Sequence, residues 1–226
     1  CRHAAGEYVA FLDSDDVWFP WTLQTYADII HRAGRPSFVA GSPHRFSGTE
    51  GMTPGEDGLD VAAFPDYYAS GDAWRWWGAS SFVIRRDAFD AAGGFALESV
   101  NCEDADLAMK LGTAPGFVQV LTPATFGYRE HGGNVTRHFN RTLEGALLML
   151  QRERQQVYPG GPSRAAERWR IITRHLRPVS LESLKQGGRR DAWRLYRAMF
   201  FWHLRLGRWK YLAGFVGRVL HTRPAH

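Results

Sequence analysis

The chain has 226 residues, of which 44% are hydrophobic and 14% aromatic, as in a folded protein with a sizeable core rather than a disordered one. Two cysteines, Cys1 and Cys102, are too few for a disulfide framework, and no apolar run reaches the roughly 18 residues of a membrane-spanning helix. We therefore expect a cytoplasmic protein. Its net charge of +5 is divided unevenly: residues 151–226 hold 17 Lys and Arg against 4 acids, whereas residues 1–150 hold 11 against 19.

The first predicted element is a buried strand over residues 8–12, which ends abruptly in three aspartates. Pro20 suits the first position of a helix. That helix is predicted to bury Leu23, Tyr26, Ala27 and Ile30 and to stop at Gly34 and Pro36. Residues 37–41 predict a second strand, and residues 42–72 a long irregular segment.

The later elements continue the alternation of strands and helices, which predicts an α/β fold. Gly93 and Gly94 close a short helix, and Leu107 and Leu111 share one face of the next. In chain order we expect a strand at 80–85, helices at 87–92 and from 103, a strand at 117–121, a helix at 138–157 and a linker at 158–163.

The aspartates Asp13, Asp15 and Asp16 follow a strand's carboxyl end, where open α/β sheets place ligands. Clustered carboxylates repel one another unless a cation neutralises them, and oxygen ligands favour Mg²⁺ or Mn²⁺. The alternative is an acidic turn that caps the next helix, for which Asp16 alone would suffice.

Residues 5–20, AGEYVAFLDSDDVWFP, closely resemble the signature of family 2 glycosyltransferases, in which a strand ends in Asp-x-Asp and Trp-x-Pro follows. The resemblance implies a GT-A fold and transfer from a nucleotide-diphospho-sugar with inversion. It implies that Asp15 holds the divalent metal and that Asp13 lies beside the donor's ribose and the metal. We assign Asp16 a supporting position behind them.

Residues 102–111, CEDADLAMKL, place carboxylates in a helix's first turn, where complementarity with the helix dipole is the ordinary explanation. They follow WGASSFVIRRDAFDAAGGF at 77–95, and together the two segments resemble the second half of the same catalytic domain. The resemblance makes Asp104 the general base and Glu103 its neighbour. Ala105 and Lys110 depart from the family pattern, which more often has an aromatic residue and Arg there.

Residues 128–136, YREHGGNVT, resemble the family's closing motif. The resemblance makes His131 a third metal ligand or a diphosphate contact, although a lone His is more often structural. Arg129 and Arg137 are candidates for the donor's phosphates. Among the tryptophans at 74, 76 and 77, Trp76 and Trp77 are candidates for stacking on the acceptor sugar, although such clusters are more often core.

The resemblance covers residues 1–140 and lacks the strands that open the family's domain, so we expect the front of that domain to be missing. The expected organisation is a GT-A portion over 1–157, the linker, and a helical appendage over 164–226. The acceptor is expected to be a saccharide or lipid-linked hydroxyl of a cell-envelope polysaccharide. The rival hypothesis is a non-catalytic scaffold or inactive fragment that keeps the fold. Oligomeric state is left open.

The C-terminal appendage, residues 164–226, is basic. It interleaves arginines with aromatic residues at spacings of three and four, which predicts amphipathic helices. Such helices suit the anionic inner surface of a cell membrane, and they equally suit a helical hairpin packed on the catalytic domain. Charge alone also permits nucleic acid, but no base-reading motif is present, so no nucleic-acid partner is expected.

Overall fold

The computed structural model describes residues 3–48, 58–71, 73, 78–98, 100–130 and 139–221. The chain forms two compact units. The first comprises Cys1–Ala96 and Asp104–Arg137, and the second comprises Leu97–Glu103 and His138–His226. This division differs from the predicted boundaries, because the helix after residue 138 and the predicted linker at 158–163 both belong to the second unit.

The first unit mixes short strands and helices, which confirms the α/β prediction. Among the described residues its strands are β1 (Tyr8–Ala10), β2 (Val17–Trp18), β3 (Phe38–Ala40), β4 (Pro43–Phe46), β5 (Asp60–Phe64), β6 (Phe82–Arg85), β7 (Phe117–Thr122) and β8 (Phe126–Arg129). The helices are α1 (Thr22–Arg32), α2 (Tyr67–Ser70), α3 (Arg86–Ala91) and α4 (Glu103–Lys110), the last starting at the division between the units.

The strands form two sheets. One has five strands in the order β1-β6-β3-β7-β5, in which β3 and β7 are parallel and the other pairs antiparallel. The other has the order β2-β8-β4, with β2 antiparallel and β4 parallel to β8. Since β1 and β2 lie in different sheets, the loop of residues 11–16 passes from one sheet to the other.

The core of the first unit lies between the five-stranded sheet and α1. Tyr26 and Ile29 of α1 pack with valines of the central strands at 39, 83, 118 and 120. Aromatic residues occupy the opposite face of the sheet: the Phe38 ring centroid lies 4.8 Å from that of Phe82 and 4.9 Å from that of Phe117. These apolar strands hold the ends of β1 and β6 in fixed positions.

Two predictions for this region were wrong. Helix α1 begins at Thr22 and buries Thr22, Tyr26 and Ile29, whereas the predicted core residues Leu23 and Ala27 are exposed. Thr22 faces inward because its hydroxyl donates to the Thr125 carbonyl oxygen at 2.5 Å, so a polar contact sets the rotation of the helix. The segment predicted to be irregular contains β4, β5 and α2, whose pairing partners are distant in the chain.

The second unit contains four helices among its described residues: α5 (Phe139–Arg154), α6 (Ala165–Lys185), α7 (Arg189–Arg205) and α8 (Trp209–His221). Trp169 and Trp202 stack with their ring centroids 5.5 Å apart. The rings of Tyr196 and Phe215 stack at 4.2 Å. The predicted C-terminal helical appendage is therefore present, with its own aromatic core.

The predicted linker is a well-anchored connection between α5 and α6. Arg168 forms a buried ion pair with Glu153, at 2.8 Å from Nε to Oε2. The same guanidinium donates to the carbonyl oxygens of Pro159 and Gly161 at 3.1 and 2.8 Å. Tyr158 is buried as well. Because Arg168 satisfies these carbonyl groups, the Gly- and Pro-rich composition here gives a tight turn.

None of the helices within the described ranges is long and apolar enough to cross a membrane.

Candidate active site

The acidic loop, residues 13–16, is the second part of the connection between β1 and β2. Asp13 is exposed, Asp15 is half-buried and Asp16 is buried. The Asp16 amide donates to the Asp13 carbonyl oxygen at 3.1 Å, which closes the loop into a turn. The three side chains therefore differ in their access to solvent, which is greatest for Asp13 and least for Asp16.

Asp16 supports the loop from inside. Its Oδ1 accepts a hydrogen bond from the Arg129 amide at 3.1 Å, and it also bonds to the Ser80 side chain. Burial raises the pKa of Asp16, while the bonds to Ser80 and Arg129 oppose that shift and the charges of Asp13 and Asp15 add to it. These two bonds connect Asp16, the residue before β2, to β8 and to the turn that precedes β6.

Ser80 is the residue that the sequence interpretation missed. It was predicted as the first residue of a strand, but it lies in a 3-10 turn at Ala79–Ser81 that precedes β6. Its hydroxyl oxygen accepts the Asp13 amide at 3.0 Å, and it is buried. One hydroxyl thus contacts both ends of the acidic loop. In the sequence, only a glycine followed by three small residues, directly before the apolar run of β6, indicated such a turn.

Arg129, a predicted phosphate contact, lies against the same loop. Its Nε donates to the Asp15 carbonyl oxygen at 3.1 Å, and its guanidinium lies over the Phe46 ring at 4.9 Å. The residue ends β8, which pairs with β2 through Val17 and Gly127. Both the backbone and the side chain of Arg129 therefore fix the acidic loop, with a positive charge beside three carboxylates.

Asp104 lies in the first turn of α4 and is half-buried. Its Oδ1 accepts the Ala105 amide at 2.9 Å. Its Oδ2 lies beside Gly78, where an added Cβ would approach it to 3.4 Å. Gly78 has φ +98, a conformation that other residues rarely adopt. The turn that begins at Gly78 therefore lies near Asp104 at one end and, at Ser80, bonds to the acidic loop.

The two departures from the family pattern have clear positions. Ala105 is completely buried. The Lys110 ammonium donates to the Gly94 carbonyl oxygen at 2.6 Å and lies 3.3 Å from the buried Asp106 carboxylate. Lys110 therefore links α4 to the glycine turn that follows α3. Its long side chain contacts both a carbonyl oxygen and a carboxylate.

Glu103, the first residue of α4, is grouped with the second unit and follows a turn that α5 holds through Asn101. The Asn101 side chain donates to Thr142 Oγ1 at 2.9 Å, and the Asn101 amide donates to the Arg141 carbonyl oxygen at 3.3 Å. Cys102 has φ 73, a left-handed conformation uncommon for a non-glycine residue. This sharp turn delivers the chain into the first residue of α4, which is Glu103.

Several predicted site residues fall outside the described residues: His131, Arg137, Trp74, Trp76 and Trp77. Within the described ranges no three His, Cys, Asp or Glu side chains are grouped as a metal site. Asp13 and Asp15 nevertheless offer carboxylate oxygens, the ligands that suit Mg²⁺ or Mn²⁺. Such ions often use only one or two protein carboxylates and complete their shell with water and substrate phosphates.

Crystal structures of S. aureus TarS are among the solved structures to which this chain is similar, at low similarity. TarS in complex with UDP-GlcNAc gives a TM-score of 0.44 at 14% identity, over 91% of this chain and 70% of that chain. TarS alone gives a TM-score of 0.46 at 15% identity, over 91% of this chain and 68% of that chain. The TarS complex with UDP gives a TM-score of 0.43 at 14% identity, over 91% of this chain and 69% of that chain. The sequence matches no protein-family model and no curated protein.

Proposed function

We propose that this protein transfers a sugar from a nucleotide-diphospho-sugar to an acceptor hydroxyl with inversion at the anomeric carbon. The sequence motifs that resemble family 2 glycosyltransferases supply the reaction class. The contacts between the acidic loop, the Gly78–Ser81 turn and Asp104 supply the arrangement of groups that such a reaction needs.

The observation that carries the proposal is that the turn at residues 78–81 is bonded to the acidic loop and lies near Asp104. Ser80 bonds the acidic loop, and Gly78, two residues earlier, lies beside the Asp104 carboxylate. Two residues span at most about 7 Å of extended chain. This short segment supports a site in which the acidic loop is assigned to the donor's diphosphate and Asp104 to the acceptor's proton.

Asp104 is assigned as the general base. The acceptor oxygen forms its bond to the anomeric carbon while the bond from that carbon to the diphosphate oxygen breaks. The hydroxyl proton passes to the Asp104 carboxylate, since the hydroxyl becomes more acidic as it attacks. Glu103, the preceding residue, is assigned to orient the acceptor.

Asp15 and Asp13 are assigned to hold a divalent cation beneath the donor's diphosphate. When bound, such a cation acts as a Lewis acid and neutralises charge that develops on the departing diphosphate. Asp16, Ser80 and Arg129 have a positioning role, because they fix the loop from which the other two aspartates project. Arg129 also brings positive charge to the phosphate side.

The test is the Asp104→Asn variant of the full chain. The amide keeps the size of the carboxylate and can still accept the Ala105 hydrogen bond, but it cannot take the acceptor's proton. Release of nucleoside diphosphate from the donor in the presence of acceptor is expected to fall by about 10²- to 10⁴-fold. Donor affinity, measured by calorimetry with the same nucleotide-sugar and Mn²⁺, is expected to stay within a few-fold of the parent.

Asp90→Asn is the matched control, since Asp90 is an exposed aspartate on α3. It should change neither turnover nor donor affinity. If turnover by Asp104→Asn remains within a few-fold of the parent, the base is another group and Glu103 becomes the next candidate. If the variant loses donor binding and turnover to the same degree, Asp104 is a structural residue of the helix.

A further inference from the structure

Helix α8 has apolar residues on two faces. Tyr211, Leu212, Phe215 and Val219 are buried in the second unit. Trp209, Ala213, Val216 and Leu220, which we call the α8 outer face, recur at intervals of four, three and four and therefore form a single stripe. All four are exposed, with Trp209 at 60% and Leu220 at 79%. An ordinary surface helix would carry polar residues there.

The last turns of α7 also carry exposed apolar side chains. Phe201 is 58% exposed and Leu204 is 37% exposed, and both lie within ten residues of Trp209 in the chain. Isolated exposed apolar residues are common, but several on consecutive helices, including a stripe along one of them, indicate an interaction surface.

The surrounding charge indicates the partner. Residues 189–221, which comprise α7 and α8, hold eight Lys and Arg and a single acid, Asp191. Lys210, directly after Trp209, is exposed, as is Arg205 at the end of α7. A protein partner with an apolar groove would not require this excess of positive charge, whereas an anionic lipid surface offers apolar chains and negative headgroups together.

We propose that the α8 outer face docks on an anionic lipid surface, with Trp209 and Leu220 entering the headgroup region and Lys210 contacting lipid phosphates. The helix lies along the surface and does not cross it. This association is separate from sugar transfer. It holds the protein at the surface where a lipid-linked or envelope acceptor is found.

The test is sedimentation of the full chain with vesicles of equal parts phosphatidylglycerol and phosphatidylcholine, compared with vesicles of phosphatidylcholine alone. The parent is expected to bind the anionic vesicles and to bind the neutral ones more weakly. The double variant Trp209→Ser/Leu220→Ser should lower partitioning by about tenfold or more, because its apolar anchors are gone. Lys210→Gln should lower partitioning onto the anionic vesicles by about fivefold.

Leu23→Ser is the matched control, since Leu23 is 61% exposed on α1 of the first unit. It should partition like the parent, and circular dichroism should show all variants folded. No binding to anionic vesicles, equal binding to both kinds of vesicle, or parent-like binding by the double variant would overturn the proposal. A parent dimer in solution that Trp209→Ser/Leu220→Ser dissociates would also overturn it, because the face would then belong to a second copy.

Discussion

The amide of Asp13 donates a hydrogen bond to the hydroxyl oxygen of Ser80, 67 residues further along the chain, at 3.0 Å. The same hydroxyl bonds to the side chain of Asp16. A neutral serine therefore holds together a loop of three carboxylates that repel one another. The position of the acidic loop depends on a residue in a turn that carries no charge of its own.

Ser80→Ala is expected to destabilise the first unit by about 1–3 kcal/mol, because it leaves the Asp13 amide without this acceptor and the buried Asp16 without one donor. It should also weaken binding of UDP measured in Mn²⁺. Ser163→Ala is the control, since Ser163 makes an exposed hydrogen bond to Gly160 in the second unit. Denaturant unfolding and calorimetry report the two effects. If Ser80→Ala has the stability and the UDP affinity of the parent, Ser80 does not hold the acidic loop in place.

Asp15→Asn is expected to lower Mn²⁺ affinity in the presence of UDP by about tenfold or more, because an amide oxygen binds a hard cation less strongly than a carboxylate does. Asp60→Asn, at an exposed position that begins β5, is the matched control and should leave affinity unchanged. The measurement is calorimetric titration of Mn²⁺ into the full chain. Equal affinity in the parent and Asp15→Asn would remove Asp15 from the ligand set.

The buried His203 makes stability dependent on pH. Its ring lies 4.3 Å from Tyr211, and neither ring nitrogen has a hydrogen-bond partner among the described residues. Burial, with Arg208 and Arg177, lowers the pKa of His203 from 6.5 to about 4. Because the folded pKa lies below the unfolded one, stability is present above pH 6.5 and is lost as pH falls towards 4.

His203→Leu is expected to reduce the loss of stability between pH 8 and pH 5 by about 2 kcal/mol. The remaining dependence includes His175, whose pKa burial and the nearby Arg174 also lower to about 4. Denaturant unfolding followed by tryptophan fluorescence at each pH measures the change. His31→Gln, at an exposed position on α1, should retain the parent's dependence. An undiminished dependence in His203→Leu would show that the ring is accessible to protons when folded.

Two glycines in helices of the second unit should respond oppositely to alanine. At Gly145 on α5 an added Cβ would lie 1.8 Å from the Asn101 carbonyl oxygen, so Gly145→Ala should destabilise by about 1–3 kcal/mol. At Gly214 on α8 nothing lies within 4 Å. Gly214→Ala should therefore stabilise by about 0.5–1 kcal/mol through helix propensity. Thermal unfolding measures both. A neutral Gly145→Ala would mean that α5 does not closely contact the Asn101 turn.

Local patterns in the sequence were sufficient for the longer elements. An apolar run that ends in aspartates located β1, and two glycines located the end of α3. Periodic leucines located α4, and both Leu107 on this helix and Leu111 directly after it are buried. These features depend on residues close in sequence, which is why they could be recognised without the tertiary structure. The resemblance of short motifs to family 2 glycosyltransferases selected Asp13, Asp15 and Asp104 as candidates for chemistry.

Only the tertiary structure decided how those candidates are held. Strand β2 has two residues and exists because Val17 pairs with Gly127, a contact that no local pattern reveals. The rotation of α1 was set by a hydroxyl of Thr22 bonded to a distant carbonyl, against the local preference for burying Leu23. The role of Ser80 likewise comes from a partner 67 residues away. Hydrogen bonds between distant segments are fixed by the fold as a whole, and a single sequence does not encode them as a local signal.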